Sequence, residues 1–176
     1  MAAESSFWTI GHSTRTLEEF VGLLKSNGIG VVADVRRFPG SRKYPHFAQD
    51  NLAISLPEAG VEYIHFPELG GRRRPRADSD NTVWRNASFR GYADYMETGE
   101  FMAGIERLSE MASDSRVAIM CSEAVWWRCH RALISDFLKS RGADVRHILS
   151  PKKTVMHPYT SAARIVDGKL SYSQPD

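Results

Sequence analysis

Strand and helix signals alternate along the chain, and this order constrains the fold more than any other feature of the sequence. Short apolar runs typical of buried strands occur at 7–10, 29–35, 61–66, 116–120 and 143–149. Apolar residues at helical spacing lie between them, at 16–28, 50–59, 88–96, 98–111 and 129–140. Strands that alternate with helices form right-handed βαβ units. The sequence therefore predicts one α/β domain over residues 1–176: a three-layer, largely parallel, Rossmann-like sheet flanked by helices, with a small C-terminal hairpin at 163–172.

Composition narrows the class of protein and its location. The 176 residues include 23 Lys and Arg against 21 Asp and Glu, and 42% are hydrophobic, as in an ordinary globular domain. No apolar run approaches the roughly 18–20 residues of a membrane-spanning helix. Residues 1–10 lack the basic and long apolar regions of a signal peptide, and two cysteines are too few for a disulfide scaffold. We therefore expect a cytoplasmic protein with reduced thiols and no membrane partner.

Three groups of polar residues directly follow the clearest strands. They are Gly11-His12-Ser13, Asp34-Val35-Arg36 and Cys121-Ser122-Glu123. In open α/β sheets, ligands bind in the crevice at the carboxyl ends of the strands. We therefore expect the three groups to face one crevice and to form the functional site.

Cys121 precedes a loop and then a helix, a position that lowers the pKa of a thiol and favours anions. It is either a thiolate nucleophile, a ligand contact or a buried core residue. The position is similar to that of the catalytic cysteine in rhodaneses and tyrosine phosphatases, and Asp34-Val35-Arg36 is also rhodanese-like. The loop 121–128, however, has no glycine and carries two tryptophans and an acid, whereas a phosphate-binding nest needs small residues.

Glu123 and Asp34 are the candidate general acid and base. Burial of Glu123 beside Trp126 and Trp127 would raise the pKa of its carboxyl group, and paired carboxylates across a crevice suit hydrolysis. Two structural roles are the alternatives: Glu123 forms an ion pair with a nearby arginine, and Asp34 caps the turn that follows it.

His12 is a further acid/base candidate or a donor to phosphate, assisted by Ser13, unless it only bonds a backbone carbonyl. His130 is a candidate substrate contact. The two cysteines, together with His12 and His130, lack the spacing of zinc ligands, so we expect no metal.

The basic residues lie in loops that are expected to leave the strand ends, and most are arginine, which suits bidentate phosphate contacts. Aromatic residues alternate with them, as on surfaces that bind backbone phosphates and stack bases. The alternative is a set of solvated or ion-paired arginines. The residues that we expect to contact an anionic substrate are Arg36, Arg72, Arg90, Arg128, Arg131, Tyr92, Trp126 and Trp127.

Eight short motifs, spread over nearly the whole chain, carry a family resemblance. They begin at Thr9, Asp34, Pro45, Leu69, Phe89, Met120, Cys129 and His157. In this order they resemble the domain-of-unknown-function family 488. Ser122 stands where such proteins usually have alanine, and the chain has two tryptophans where at most one is expected. The resemblance implies a three-layer α/β domain with a polar pocket built from these motifs, and it implies no reaction.

Together the residues favour an enzyme that acts on an anionic, base-containing substrate, preferably a damaged or modified nucleic-acid base or a nucleotide, as in DNA repair. Arginines would hold phosphates, aromatic side chains would stack the base, and Glu123 or Asp34 would activate water. His12 or Cys121 would complete the site. We expect no cofactor, because no dinucleotide-binding or Walker motif occurs. Two alternatives remain: a non-catalytic module that binds a nucleotide or single-stranded nucleic acid, and rhodanese-like or redox chemistry at Cys121.

Overall fold

A six-stranded sheet forms the centre of the protein, for which a computed structural model describes residues 5–175. Residues 1–4, part of the segment compared with signal peptides above, and residue 176 lie outside the described residues. The strand order is β3-β2-β4-β1-β5-β6. The first five strands of the chain run parallel, and the sixth is antiparallel to β5. The strands are β1 (Ser6–Gly11), β2 (Val31–Asp34), β3 (Glu62–His65), β4 (Val117–Cys121), β5 (Asp144–Ser150) and β6 (Lys153–Met156).

Five α-helices connect the strands, and the predicted α/β class is confirmed. The helices are α1 (Leu17–Ser26), α2 (Gln49–Glu58), α3 (Ala87–Tyr95), α4 (Gly99–Asp114) and α5 (Arg131–Ser140). The capping box at the start of α1 is present: the Thr16 hydroxyl accepts from the Glu19 backbone N–H, and the Glu19 carboxylate accepts from the Thr16 N–H, both at 3.0 Å. Thr98 caps α4 through the Phe101 N–H.

The helices cover both faces of the sheet, because successive residues of each buried strand point in opposite directions. Val31 and Ala33 of β2 join a core with α3, α4 and α5, whereas Val32 joins a second core with α1 and α2. Strand β4 divides in the same way, with Ile119 on the first face and Met120 on the second. The result is the three-layer arrangement expected from the order of strands and helices. No helix within residues 5–175 is both long enough and apolar enough to cross a membrane.

The C-terminal region contains the predicted hairpin and one strand that the sequence did not predict. The hairpin pairs β7 (Arg164–Val166) with β8 (Lys169–Ser171). Asp167 and Gly168 at its turn both have positive φ, as a type I′ turn requires. The unpredicted strand is β6, which lies between the last predicted strand at 143–149 and the predicted hairpin at 163–172. Its four residues, Lys-Thr-Val-Met, are largely exposed on a sheet edge, so it lacks the apolar pattern of a buried strand.

A chain of buried hydrogen bonds crosses the first core. An N–H of Arg131 donates to the Thr9 hydroxyl (3.0 Å), and the Thr9 oxygen lies 2.5 Å from Nδ1 of His147. Nε2 of His147 lies 2.8 Å from Nδ1 of His157, whose Nε2 lies 2.8 Å from the Asp136 carboxylate. With both imidazoles neutral, every member of the chain donates in the same direction, from the guanidinium to the carboxylate.

Asp136 also fastens the C-terminal segment to α5. Its carboxylate accepts from the backbone N–H of Thr160 (2.9 Å) and from the hydroxyl groups of Thr160 (2.5 Å) and Tyr172 (2.8 Å). The carboxylate is fully buried, so these bonds replace those that water would otherwise supply. The segment from 157 to 172 is therefore part of the core.

Protonation of His147 is incompatible with this series of buried hydrogen bonds. Burial, together with the nearby His157 and Arg131, lowers the pKa of His147 to about 2. In the unfolded chain the same imidazole titrates near the ordinary value of about 6.5. Below that pH the imidazole is protonated in the unfolded state but stays neutral in the folded state. The contribution of His147 to the free energy of unfolding is therefore fully present above about pH 6.5 and is lost as the pH is lowered.

We therefore predict that the free energy of unfolding decreases with acidification, by up to about 1.4 kcal/mol per pH unit from His147 alone. Urea unfolding at about pH 7.5, 6 and 5 measures the slope, and the variant His147→Gln should give a shallower slope than the wild type. Equal slopes for the two proteins would show that His147 is not kept neutral.

Candidate functional site

The strand order brings the three predicted polar groups together. Strands β2, β4 and β1 are adjacent, so their carboxyl ends lie side by side and open into one cleft of about 600 Å³. The predicted site residues that line the cleft are His12, Ser13, Arg36, Arg72, Tyr92, Cys121, Glu123, Arg128 and His130. Asp34, Arg90, Trp126, Trp127 and Arg131 do not line it.

Backbone contacts between the ends of β1 and β4 fix one wall of the cleft. The His12 N–H donates to the Cys121 carbonyl (2.9 Å), and the Ser13 N–H donates to the Ser122 carbonyl (3.0 Å). The next residue of this loop, Glu123, presses its carbonyl oxygen against Gly11, where a Cβ atom would overlap it. Glycine at position 11 therefore permits the close approach that places Glu123 at the cleft.

Asp34 holds Arg36 in place from beneath the cleft. Its fully buried carboxylate accepts from Nε (2.9 Å), Nη2 (2.7 Å) and the backbone N–H (3.0 Å) of Arg36, and from the Tyr63 hydroxyl. Burial lowers the pKa of Arg36, but the Asp34 contacts outweigh it and the net pKa is raised. Burial and the Asp34 charge also raise the pKa of Tyr63. Because all these bonds occupy the carboxylate, Asp34 positions a cation and does not face the cleft.

His12 is a neutral imidazole at the cleft wall. Its ring stacks on Phe47, its Nδ1 lies 3.0 Å from the Ser13 carbonyl, and its Nε2 lies 3.4 Å from Nη1 of Arg36. Burial lowers the pKa of His12 to about 4, since the Arg36 charge opposes protonation and the bond to Ser13 offsets only part of the loss. The proton resides on Nδ1, which donates to the Ser13 carbonyl, and the Nε2 lone pair accepts from the Arg36 guanidinium.

Glu123 is the only carboxylate that lines the cleft within the described part of the chain. Its side chain is exposed, whereas its backbone carbonyl is held by an N–H of Arg131 (2.8 Å) and faces the Cys121 sulfur at 3.7 Å. An exposed carboxylate thus lies on a loop whose backbone is held by hydrogen bonds.

Three cleft arginines carry charges that the protein does not neutralise. Among residues 5–175, no carboxylate forms an ion pair with Arg37, Arg72 or Arg128. Arg72 has a left-handed backbone (φ 59°), and its carbonyl accepts from Nη1 of Arg37 at 2.9 Å. Ser13, also in the cleft, has a φ of 52°. Non-glycine residues in this region cost about 1 kcal/mol or more each and are typical of functional sites.

Of the three aromatic residues expected to stack a base, only Tyr92 lines the cleft, and the exposed aromatic ring there belongs to Phe38. Phe38, with 66% of its side chain exposed, lines the cleft together with the half-buried Tyr44 and Phe89. Tyr92 also lines it, but it is buried and its hydroxyl donates to the Leu69 carbonyl (2.7 Å). No periodic pattern marks Phe38, because it lies in an irregular loop.

The predicted base-stacking tryptophans lie elsewhere. Trp126 stacks on His147 with ring centroids 4.6 Å apart, and Trp127 is 53% exposed outside the cleft. Arg90, which was also expected to contact the substrate, does not line the cleft either; one of its guanidinium N–H groups donates to the Trp84 carbonyl (3.3 Å). The contact between Trp126 and His147 of β5 could not be predicted, because the two residues are far apart in the sequence.

Both cysteines reach the cleft floor, although only Cys121 follows a strand. Cys129 lies just before α5, and its sulfur is 3.5 Å from Nδ1 of His130 and 3.5 Å from the Arg131 backbone nitrogen. The sequence analysis did not include Cys129 among the site residues. Its position just before a predicted helix, next to His130 and Arg131, is a pattern that could have identified it. In the described part of the chain, no cluster of three or more His, Cys, Asp or Glu side chains is arranged to hold a metal ion.

Comparison with known proteins yields one match. Residues 16–138 match the family described as "Domain of unknown function DUF488". The matched segment includes Arg36, Arg72, Glu123 and Cys129, whereas His12 and Ser13 precede it. No curated protein and no solved structure matches the chain.

We predict that Gly11→Ala destabilises the protein by about 2 kcal/mol or more, because the new methyl group meets a backbone carbonyl that cannot rotate away. The matched control is Gly22→Ala in α1, where a Cβ atom has open space and alanine should stabilise the helix by up to about 1 kcal/mol. Urea unfolding of both variants measures the difference. A Gly11→Ala variant as stable as the wild type would contradict the tight contact with Glu123.

Proposed function

The chain belongs to the DUF488 family, whose description assigns no reaction, and we propose from the cleft itself that the protein is a hydrolase of an anionic, base-containing substrate. The preferred substrate is a damaged or modified base in nucleic acid or a nucleotide. One observation carries the proposal: three arginines that pair with no carboxylate of residues 5–175 share a cleft with the exposed carboxylate of Glu123 and with exposed aromatic rings.

The charge of the cleft favours phosphate. Arg37, Arg72 and Arg128 present guanidinium groups, which pair bidentately with phosphate oxygens. Arg36 contributes a fourth cation, although Asp34 already balances its charge. Unneutralised arginines held near one another repel, so an anionic ligand would relieve the repulsion.

The aromatic side chains favour a base. Phe38 is exposed at the cleft, and Phe89 and Tyr44 stand nearby. Stacking on an aromatic ring contributes about 1–3 kcal/mol per base and tolerates different bases. A base turned out of its strand would enter the cleft more readily when damage has already weakened its pairing.

A neighbouring groove favours a strand over a free nucleotide. This groove, of about 500 Å³, shares Arg37 and Arg72 with the cleft and continues along Arg73 and Arg74. Arg74 is exposed, and the Arg73 guanidinium stacks on the Tyr95 ring at 3.7 Å. The arginines of the cleft are thus followed by further arginines in the adjoining groove, which could bind a second phosphate of a strand.

Glu123 is the residue that we assign to the chemistry. As a general base it would accept a proton from the attacking water, while the His12 imidazole, which accepts from the Arg36 guanidinium, would help to hold that cation at the cleft wall. The bond broken would be a glycosidic or a phosphate bond.

A second candidate, a binding module without turnover, is favoured by a different observation. The Glu123 carboxylate makes no hydrogen bond to any described residue and is exposed to solvent. A general base is usually oriented by neighbouring groups, so the same carboxylate would also suit recognition of an exocyclic amino group.

We predict salt-dependent binding of a fluorescently labelled single-stranded oligonucleotide. Each phosphate contact contributes about −0.7 to the slope of log K against log salt for single strands, so the three free arginines predict a slope of about −2. Arg72→Ala and Arg128→Ala should each weaken binding and make the slope shallower. Arg141→Ala, at the far end of α5, is the matched control. A slope near zero would remove the phosphate contacts from the proposal.

We also predict that Glu123→Gln binds the oligonucleotide as the wild type does but loses turnover by about a hundredfold or more. Oligonucleotides that each carry one damaged base, analysed by mass spectrometry, supply the substrates. Wild-type binding without product from any of them would favour the binding module. Full turnover by Glu123→Gln would assign the chemistry to another group.

A further inference from the structure

The two cysteines line the same cleft and belong to the same core cluster, although eight positions separate them in the chain. Cys121 ends β4 and is 1% exposed, and Cys129 precedes α5 and is 7% exposed. The Cys121 sulfur lies 3.7 Å from the Glu123 carbonyl oxygen, and the Cys121 thiol opposes the effect of burial on the pKa of Cys129.

Arg131 supplies an unusual charge beside this pair. Its side chain is 1% exposed, yet within residues 5–175 no carboxylate forms an ion pair with it. Its terminal nitrogens donate to the Thr9 hydroxyl and the Glu123 carbonyl, and its Nε has no hydrogen-bond partner among the described residues. A buried cation bonded only to neutral groups favours an anion in contact with it.

The Cys129 sulfur is placed to be that anion. It accepts from the Arg131 backbone N–H at the first turn of α5, a helix of ten residues whose dipole favours negative charge there. Nδ1 of His130 lies 3.5 Å from the sulfur, while Nε2 of the same ring donates to the Val35 carbonyl at 2.8 Å. The tautomer is thereby fixed, and Nδ1 carries a lone pair that can take the thiol proton.

The two thiols differ in acidity in the direction that this geometry requires. Burial raises the pKa of Cys129, but the Cys121 thiol and the Arg131 charge outweigh it, so the net pKa lies below the usual value. Burial and the neighbouring Cys129 raise the pKa of Cys121 well above the usual value. Cys129 is therefore the more acidic of the two thiols, and Cys121 the less acidic.

We propose that Cys129 and Cys121 form a peroxide-reactive dithiol at the floor of the cleft, in which Cys129 is the attacking sulfur and Cys121 the resolving one. This activity is independent of the hydrolysis proposed above, since Glu123 takes no part in it. The attacking residue is Cys129, whereas the alternative considered from the sequence was redox chemistry at Cys121.

The reaction proceeds in two balanced steps. The Cys129 thiolate attacks one oxygen of hydrogen peroxide, the O–O bond breaks, and the products are a sulfenic acid and hydroxide. The Cys121 sulfur then attacks the Cys129 sulfur, the S–O bond breaks, and the thiol proton leaves with the hydroxyl as water. Two thiols are oxidised by two electrons to one disulfide, and one peroxide is reduced to water.

The test uses the full chain, treated with hydrogen peroxide at neutral pH, with intact mass and the number of alkylatable thiols as readouts. The wild type should become lighter by two hydrogen atoms, lose both alkylatable thiols, and regain them with dithiothreitol. Cys121→Ser should instead gain one oxygen and form an adduct with dimedone, a reagent for sulfenic acids. The matched variant Cys129→Ser should keep its thiol unchanged.

The wild-type measurement is decisive even if a variant does not fold. Two alkylatable thiols remaining after a peroxide dose that oxidises free cysteine would overturn the proposal, as would a disulfide only between chains. A dimedone adduct on Cys129→Ser rather than Cys121→Ser would overturn the assignment of the attacking sulfur. None of these results changes the salt-dependent binding or the effect of Glu123→Gln, so the two proposals fail separately.

Discussion

The buried guanidinium of Arg131 is the contact on which the site depends. It joins the Thr9 hydroxyl of β1 to the carbonyl of Glu123 in the loop after β4, and it lies at the first residue of α5. A charge buried without a carboxylate partner is costly, so its hydrogen bonds must all be kept. Three segments are thereby held in one arrangement beneath the cleft.

The order of the strands supplies the rest of the site. Because β4 lies between β2 and β1, groups from the first, second and fourth strands come together although the chain visits them far apart. In this arrangement the buried residues position other groups, and the exposed residues are the ones that a ligand can contact. Asp34 and Arg131 are buried and hold other groups, whereas Glu123, Arg72 and Phe38 are accessible to a ligand.

The fold could be predicted largely from local signals. The Thr16 capping box, the Thr98 cap and the Asp167-Gly168 turn each act within a few residues, so the sequence contains the whole interaction. Strand β6 escaped prediction because an edge strand with polar residues is stabilised by its partner, β5, rather than by its own pattern.

The site was predicted less completely, and for a physical reason. Strand ends pointed to His12, Arg36, Cys121 and Glu123, which all line the cleft. What a side chain touches after folding depends on distant residues: Trp126 lies against His147, and Phe38 emerges from an irregular loop. Residue type alone suggested that Trp126, Trp127 or Tyr92 would stack a base, but tertiary packing placed neither tryptophan in the cleft.

The carboxylate of Asp136 links helix α5 to the C-terminal segment. One end of this helix starts at the cleft, and its middle holds the C-terminal segment through Thr160 and Tyr172. A helix of ten residues is stiff. Displacement of the C-terminal segment would therefore tilt the whole of α5, whose first turn supports the loop that carries Glu123. Variation near the end of the chain can therefore retune the cleft mechanically, without altering any residue that a ligand touches.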